Sequence, residues 1–260
     1  MKAFSCENVK SAYDKKYLDS HPIISDITFD IDEGSSVAVL GSNGCGKSTL
    51  LRTLAGMIPF SGDIRVGGRE LSHLKRKEIA SSVALMSQIS QVYFSYSVFD
   101  TVLMGRFAHG NDLFGGYNDE DRTAAEEALK RTGALHMADR NLSELSGGEL
   151  QRVFLARTFA QETPILMLDE PMNHLDLKVQ AELSEYLKEW GQEEGHTLIG
   201  VYHDINLALR LSDTLIFMKN GKIVKKGEKK EILSYNLLQE VYDFDVYGYL
   251  RSLSASEIFD

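Results

Sequence analysis

The sequence predicts an α/β fold, in which a parallel sheet lies between helices, an antiparallel β unit forms near the N-terminus and a helical unit is inserted in the middle. Three observations carry this: short continuous apolar runs ending in polar residues, one alternating run upstream of them, and a helix-patterned stretch between residues 88 and 161.

The alternating run comes first. In "ISDITFDIDEG", Ile27, Phe29 and Ile31 alternate with polar residues, as in a strand with one buried face. The runs "SVAVLG", "PILMLDE" and "TLIGVYHD" are apolar on both faces, which suits parallel strands covered on each side. Their polar ends mark the sheet edge where open α/β folds bind ligands. The inserted unit comprises "SVFDTVLMGR", "NDEDRTAAEEALKRTG" and "GGELQRVFLARTFA". Its second helix has an Asn118 or Asp119 cap, acids in its first turn and a stop at Gly133. Near the end, "TLIFMKNGKIVKKG" sets two strand-like runs around Asn220-Gly221, a strong hairpin signal, and helical "KKEILSYNLLQEVY" follows.

Composition narrows the function. A chain of 260 residues, 43% hydrophobic and 25% charged, is globular, and 28 Lys and Arg against 38 Asp and Glu disfavour nucleic acid as the main partner. The start "MKAFSCENVK" has no apolar signal region, and no apolar run approaches the roughly 18 residues of a membrane span. Cys6 and Cys45 are too few for a disulfide framework and lack metal-ligand spacing, so a soluble chain in a reducing compartment is expected.

The chemistry begins at "GSNGCGKST", Gly41 to Thr49, which fits the Walker A pattern G-x-x-x-x-G-K-[ST] between a buried strand and a helix. Glycines at this spacing turn backbone N–H groups of Ser42, Asn43, Gly44, Cys45 and Gly46 around phosphate oxygens, and the helix start adds positive potential. Lys47 is expected on the β- and γ-phosphates, Ser48 on Mg²⁺, and Thr49 beside them. The structural alternative is a plain strand-to-helix turn. In "ILMLDE", Asp169 is the expected second holder of Mg²⁺ and Glu170 the group that orients or deprotonates the attacking water. Two acids at a strand end also fit a turn. His203 ends another buried strand, with Asp204 beside it as a helix cap. Gln88 closes "VALMSQ", where a neutral amide suits Mg²⁺ or the attacking water but is also an ordinary polar strand end.

"ELSGGELQRV", Glu144 to Val153, places paired glycines at a helix start. Ser146 and Glu149 fit a capping box, which leaves Gly147 and Gly148 unexplained except by close approach of a backbone or ligand.

Taken in order and spacing, "GSNGCGKST", "SQ", "LSGGELQRV", "ILMLDE", "NHLD" and "YHD" resemble the ATP-binding subunit of an ABC transporter over nearly the whole chain. The resemblance implies a P-loop NTPase (RecA-like) core with an N-terminal antiparallel β subdomain and an α-helical subdomain carrying the ABC signature. Residues 1–88 and 162–228 would form the core, 89–161 the helical signature subdomain and 229–260 a C-terminal helical segment. It makes Gln88 the Q-loop, Leu145 to Arg152 the signature, Asn173 to Asp176 the D-loop and His203 the switch histidine.

It further implies two copies facing head to tail, each ATP lying between the Lys47 loop of one and Ser146, Gly147, Gly148 and Glu149 of the other, with Asp176 nearby. An aromatic residue stacks on adenine in this family; Tyr13 is the candidate, with Tyr17 possible because "DKKYLDSHP" is long. Glu149 replaces the common Gln, and Met172 the common Thr.

The wording of the insertion and of "LDEPMNHLDLKVQ" is similar to importers of metal chelates: ferric siderophores, haem and cobalamin. That implies permease subunits as partners, a solute-binding protein indirectly, and a place on the cytoplasmic side of the inner membrane. Importers of zinc, manganese or another small solute are the alternative. A soluble non-transport ABC ATPase is a further one, against which stand the acidic charge and the absence of a second ATPase half or long coiled coil. The aromatic "VYFSYSVF", Val92 to Phe99, is the candidate permease-docking surface, with packing of the insertion as its structural alternative.

Overall fold

The computed structural model describes residues 1–87, 96–109, 116–173 and 175–254. Gln88, residues 92–95 of the candidate docking segment and His174 of the D-loop lie outside these residues.

Along the chain, β1 (Lys2–Ser11) and β2 (Ile24–Asp32) precede β3 (Ser36–Leu40) and helix α1 (Lys47–Leu54). Then come β4 (Phe60–Val66), β5 (Arg69–Glu70), α2 (Arg76–Ala80) and β6 (Val83–Met86). Helices α3 (Val98–Leu103), α4 (Asp119–Arg131) and α5 (Gly147–Phe159) pack on one another as the inserted unit. The chain continues through β7 (Ile165–Asp169), α6 (Leu177–Gln192), β8 (Thr197–Val201) and α7 (Ile205–Leu211). It ends with β9 (Thr214–Lys219), β10 (Lys222–Glu228), α8 (Lys229–Ile232), α9 (Tyr235–Tyr242) and α10 (Val246–Ser254).

Two sheets form. One is antiparallel, in the order β2-β1-β4-β5; the other has the order β10-β9-β3-β8-β7-β6. In the second, the strands from β9 to β6 are parallel and β10 folds back antiparallel through a turn in which Asn220 and Gly221 both have positive φ, 50° and 75°. This backbone is what an Asn-Gly hairpin turn requires.

The apolar strands are covered on both faces. Val37 and Val39 of β3, Ile165 and Met167 of β7, and Ile199 and Val201 of β8 join one core with Leu50, Leu51 and Leu54 of α1 and Phe4, Ile27 and Ile31 of the antiparallel sheet. Their alternates, Ala38, Leu40, Leu166, Leu168 and Leu198, join a second core with α5, α6 and α7. Shaving any of these large side chains to alanine costs about 2–5 kcal/mol.

The register sets the site. Val201 lies opposite both Val39 and Asp169, so β3, β8 and β7 end together and deliver three loops to one edge.

At the described end of the candidate docking segment, residues 96–99, packing against the core is seen. Val98 is fully buried and Phe99 packs against the inserted unit's core, with Ser97 capping α3, so this end of the docking segment faces inward. Of its described residues, Tyr96 is exposed.

Candidate ATP-binding site

The loop between β3 and α1 wraps a cleft of ≈ 400 Å³ lined by Asn43, Gly44, Gly46, Lys47, Ser48, Thr49, Tyr13, Ile23, Glu170 and His203. Gly46 caps α1 with φ 106°, and a Cβ there would meet Ile24 Cγ2 at 2.7 Å, so both conformation and space demand glycine. The loop is braced from behind: the N–H of Gly221, at the β9–β10 hairpin tip, donates to Cys45 O at 2.9 Å. Cys45 is itself buried, and burial pushes its thiol pKa up.

Lys47 is 5% exposed, and Nζ donates to Gly41 O at 2.8 Å and Ser42 O at 3.0 Å. A buried ammonium whose hydrogen bonds go to neutral carbonyls, at a helix start beside a polar cleft, is suited to an incoming phosphate.

Ser48 Oγ donates to Asp169 Oδ1 at 3.0 Å, bringing a hydroxyl and a carboxylate to the cleft floor. Burial raises the Asp169 pKa, with the Ser48 hydrogen bond opposing it and the adjacent Glu170 charge adding to it. Hard oxygen donors beside a phosphate cradle fit Mg²⁺, which binds through one or two carboxylates plus phosphate and water oxygens. Among the described residues no group of three or more His, Cys, Asp or Glu forms a metal cage.

Glu170 follows β7 with a left-handed backbone, φ 56°, which costs a non-glycine residue about 1–2 kcal/mol. Such backbone persists where its surroundings over-determine it. Its Oε1 lies 2.6 Å from His203 Nε2, and both side chains face the cleft. Asp204 caps α7 through the Asn206 N–H.

Tyr13 stands over the cleft mouth, its hydroxyl accepting from Arg52 Nη1 at 2.9 Å. Tyr17 is turned away and meets His21 edge-on.

The signature residues lie elsewhere. Ser146 caps α5 as a capping box: Glu149 Oε2 accepts from Ser146 N at 2.7 Å and from its Oγ at 2.8 Å. None of residues 146–149 lines the cleft that holds Lys47. A Cβ on Gly147 would meet nothing within 4 Å, and its φ is not positive, so nothing inside this chain requires that glycine. Asp176 caps α6 and pairs with Arg152 Nη2 at 3.2 Å. The Val179 N–H, then Arg152, hold its carboxyl below the usual range.

Sequence reasoning missed the residues that frame Glu170. Buried Gln151, one turn into α5, donates to Pro171 O at 3.1 Å and Glu170 O at 3.4 Å, and Asn173 Nδ2 donates to Glu170 Oε2 at 2.6 Å. Gln180 of α6 holds Met172 O and Leu175 O. Their one visible signal was position within stretches already marked, since isolated amides carry no periodicity.

Known proteins are similar to this chain in sequence and fold. A family model for the ABC transporter matches residues 24–173. The ferric enterobactin transport ATP-binding protein FepC of Escherichia coli K12 is 40% identical over 223 residues, 85% of this chain and 82% of that one. The iron(3+)-hydroxamate import ATP-binding protein FhuC of Bacillus subtilis 168 is 36% identical over 224 residues, 86% and 83% of the two chains. Among solved structures, one described as an inward-facing metal-chelate type ABC transporter superposes with a TM-score of 0.77 at 31% identity, covering 94% of this chain and 90% of that one. A dimeric post-hydrolysis cassette, MJ0796 bound to ADP and Pi, gives 0.76 at 25%, covering 86% and 98%. Among the described residues no helix is long and apolar enough to cross a membrane. With the phosphate loop, acidic strand end and capped signature helix all in place, this chain belongs to the ABC transporter family, as one of its ATPase subunits.

Proposed function

We propose that this chain hydrolyses ATP as one half of a head-to-tail pair that drives a permease importing a metal chelate of the ferric-siderophore type. The observation that carries the paired site is the separation of Ser146–Gly148 from the Lys47 cleft, together with a Gly147 that its own chain does not require. A helix start stripped of side chains is suited to a phosphate held by a second copy. The cargo class rests on relatives named for ferric enterobactin and iron(3+)-hydroxamate and on the metal-chelate type structure. With a permease as its anchor, the chain sits peripherally on the cytoplasmic face of the membrane and meets the solute-binding protein only through that permease.

In this reading Lys47 leaves the Gly41 and Ser42 carbonyls for the β- and γ-phosphates, and backbone N–H groups of residues 42–46 surround them. Tyr13 stacks on adenine. Ser48 and Asp169 hold Mg²⁺, which neutralises phosphate charge when bound. Gln88, beyond the described residues, senses that site and moves with the inserted unit. His203 turns from Glu170 to the γ-phosphate. Glu170 Oε1 takes a proton from water as the water oxygen bonds to γ-phosphorus. The bond to the bridging oxygen breaks, and its electron pair leaves on ADP.

Glu170→Gln tests the chemistry: ATP binding persists while turnover falls at least a hundredfold, the size of a lost general base. Wild-type turnover in that variant refutes the role of Glu170. For the cargo, ATPase activity of the chain reconstituted with its permease and solute-binding protein rises with a ferric siderophore. A rise with zinc or manganese alone contradicts that class.

A further inference from the structure

The carboxylate of Glu170 is gripped from two sides by groups of different kinds. Oε1 meets His203 Nε2 at 2.6 Å on the cleft side. Oε2 accepts from Asn173 Nδ2 at 2.6 Å; Asn173 lines the neighbouring cavity against α6 and α7, which Glu170 and His203 border too, and does not line the Lys47 cleft. The amide therefore holds the carboxylate oxygen that His203 does not meet.

Its backbone is tied to the same residue, since Asn173 N–H donates to Glu170 O at 3.3 Å, and the loop on either side is pinned by Gln180 from α6. The amide nitrogen can only donate, so it holds Oε2 as an acceptor on that side.

The geometry points to Asn173 as a positioning residue for Glu170, resting on the reading of Glu170 as the base that activates water. When His203 departs for the γ-phosphate, Oε2 stays anchored and Oε1 alone is free, facing the cleft. A base oriented by a third group is the general pattern for activated nucleophiles.

Two near-isosteric variants test this in the full chain, with melting temperature as the folding control. Asn173→Leu removes the donor, and Asn173→Asp replaces it with a like charge. Both lower kcat by about ten- to a hundredfold with KM for ATP and binding of a fluorescent ATP analogue unchanged, the change to aspartate being at least as damaging as the change to leucine. A loop-packing role predicts the opposite order, with aspartate tolerated, and that order overturns the proposal.

In a double-mutant cycle, adding Asn173→Leu to Glu170→Gln produces no further loss in single-turnover rate, because the group being positioned is already gone. A full additional loss overturns the proposal, as does a wild-type kcat in Asn173→Leu when Glu170→Gln is inactive. If Glu170→Gln itself turns over normally, the base reading falls instead, so the two failures are separable.

Discussion

Replacing Gly147 by alanine should move stability and assembly in opposite directions. The residue opens α5 with an ordinary backbone, and a methyl placed on it meets nothing within 4 Å. Glycine-to-alanine changes at compatible sites stabilise by about 0.4–1 kcal/mol through the unfolded chain. In a protein of this length that raises Tm by about 1–3 °C. Closure onto a partner's ATP responds otherwise. A phosphate oxygen bonded to a helix-start N–H lies ~2.9 Å from the nitrogen, whereas a methyl carbon holds an oxygen off at ~3.5 Å. A methyl that stands in the phosphate's path prevents this bond, and losing one charge-assisted hydrogen bond of about 1.5–3 kcal/mol weakens ATP-driven pairing at least tenfold. The assay pairs thermal melting with sedimentation of the Glu170→Gln background at graded ATP. A lowered Tm, or pairing as tight as the parent, refutes the claim that this glycine serves a second chain's nucleotide.

Three further outcomes follow from the geometry. Tyr13→Ala weakens ATP binding by about tenfold or more, the range of one base stacked on an aromatic ring, while Tyr17→Ala leaves affinity unchanged in the same fluorescence titration. Gly148→Asp leaves nucleotide binding by the monomer intact and abolishes ATP-dependent pairing; equal loss of monomer binding would mean the signature acts within its own chain. The third concerns acid. Burial pushes the Asp121 carboxyl up, but the Asn118 N–H and the Arg106 guanidinium, 3.0 Å away, outweigh it and hold it below the usual carboxylate range. A carboxyl depressed in the folded state contributes stability above its unfolded pKa and gives it up as pH falls through the folded value. Wild-type protein therefore loses stability below about pH 4 more steeply than Asp121→Asn, which is less stable at pH 7 by about 1–2 kcal/mol because Arg106 Nε loses its carboxylate while Nη1 keeps Glu162 and Ala160 O. Parallel acid slopes in denaturant titrations would remove Asp121 from this account.

The elements most legible in the sequence were those whose pattern is local. Strands β3, β7 and β8 are apolar on both faces because both faces are covered, and "SVAVL" needs no partner to be recognised. The Ser146–Glu149 capping box and the Asn220-Gly221 turn are each complete within four residues. Strand β1 was not legible, since a register shift between Cys6 and Val9 breaks its alternation. In the aromatic run ending at Phe99, docking and packing could not be told apart from sequence, because apolar residues look alike whether they face a partner or the chain's own core.

The site divided along the same line. Lys47, Ser48, Asp169, Glu170 and His203 sit in motifs whose spacing encodes chemistry. Asn173 and Gln151 act by reaching an atom of Glu170 across a turn or from another helix, and Arg106 meets Asp121 from an adjoining element. Contacts of that kind arise from packing, which no single window of sequence contains.

The central claim is that each ATP is closed by the signature of the other chain, and mixing two defective variants tests it most directly. In the Glu170→Gln background, chains carrying Lys47→Ala and chains carrying Gly148→Asp each fail to pair with ATP. Combined, they should form a heterodimer holding one ATP, because the intact phosphate loop of the second meets the intact signature of the first. No ATP-bound dimer in the mixture, with the Glu170→Gln parent pairing normally, would mean that loop and signature serve the same chain and would contradict the account.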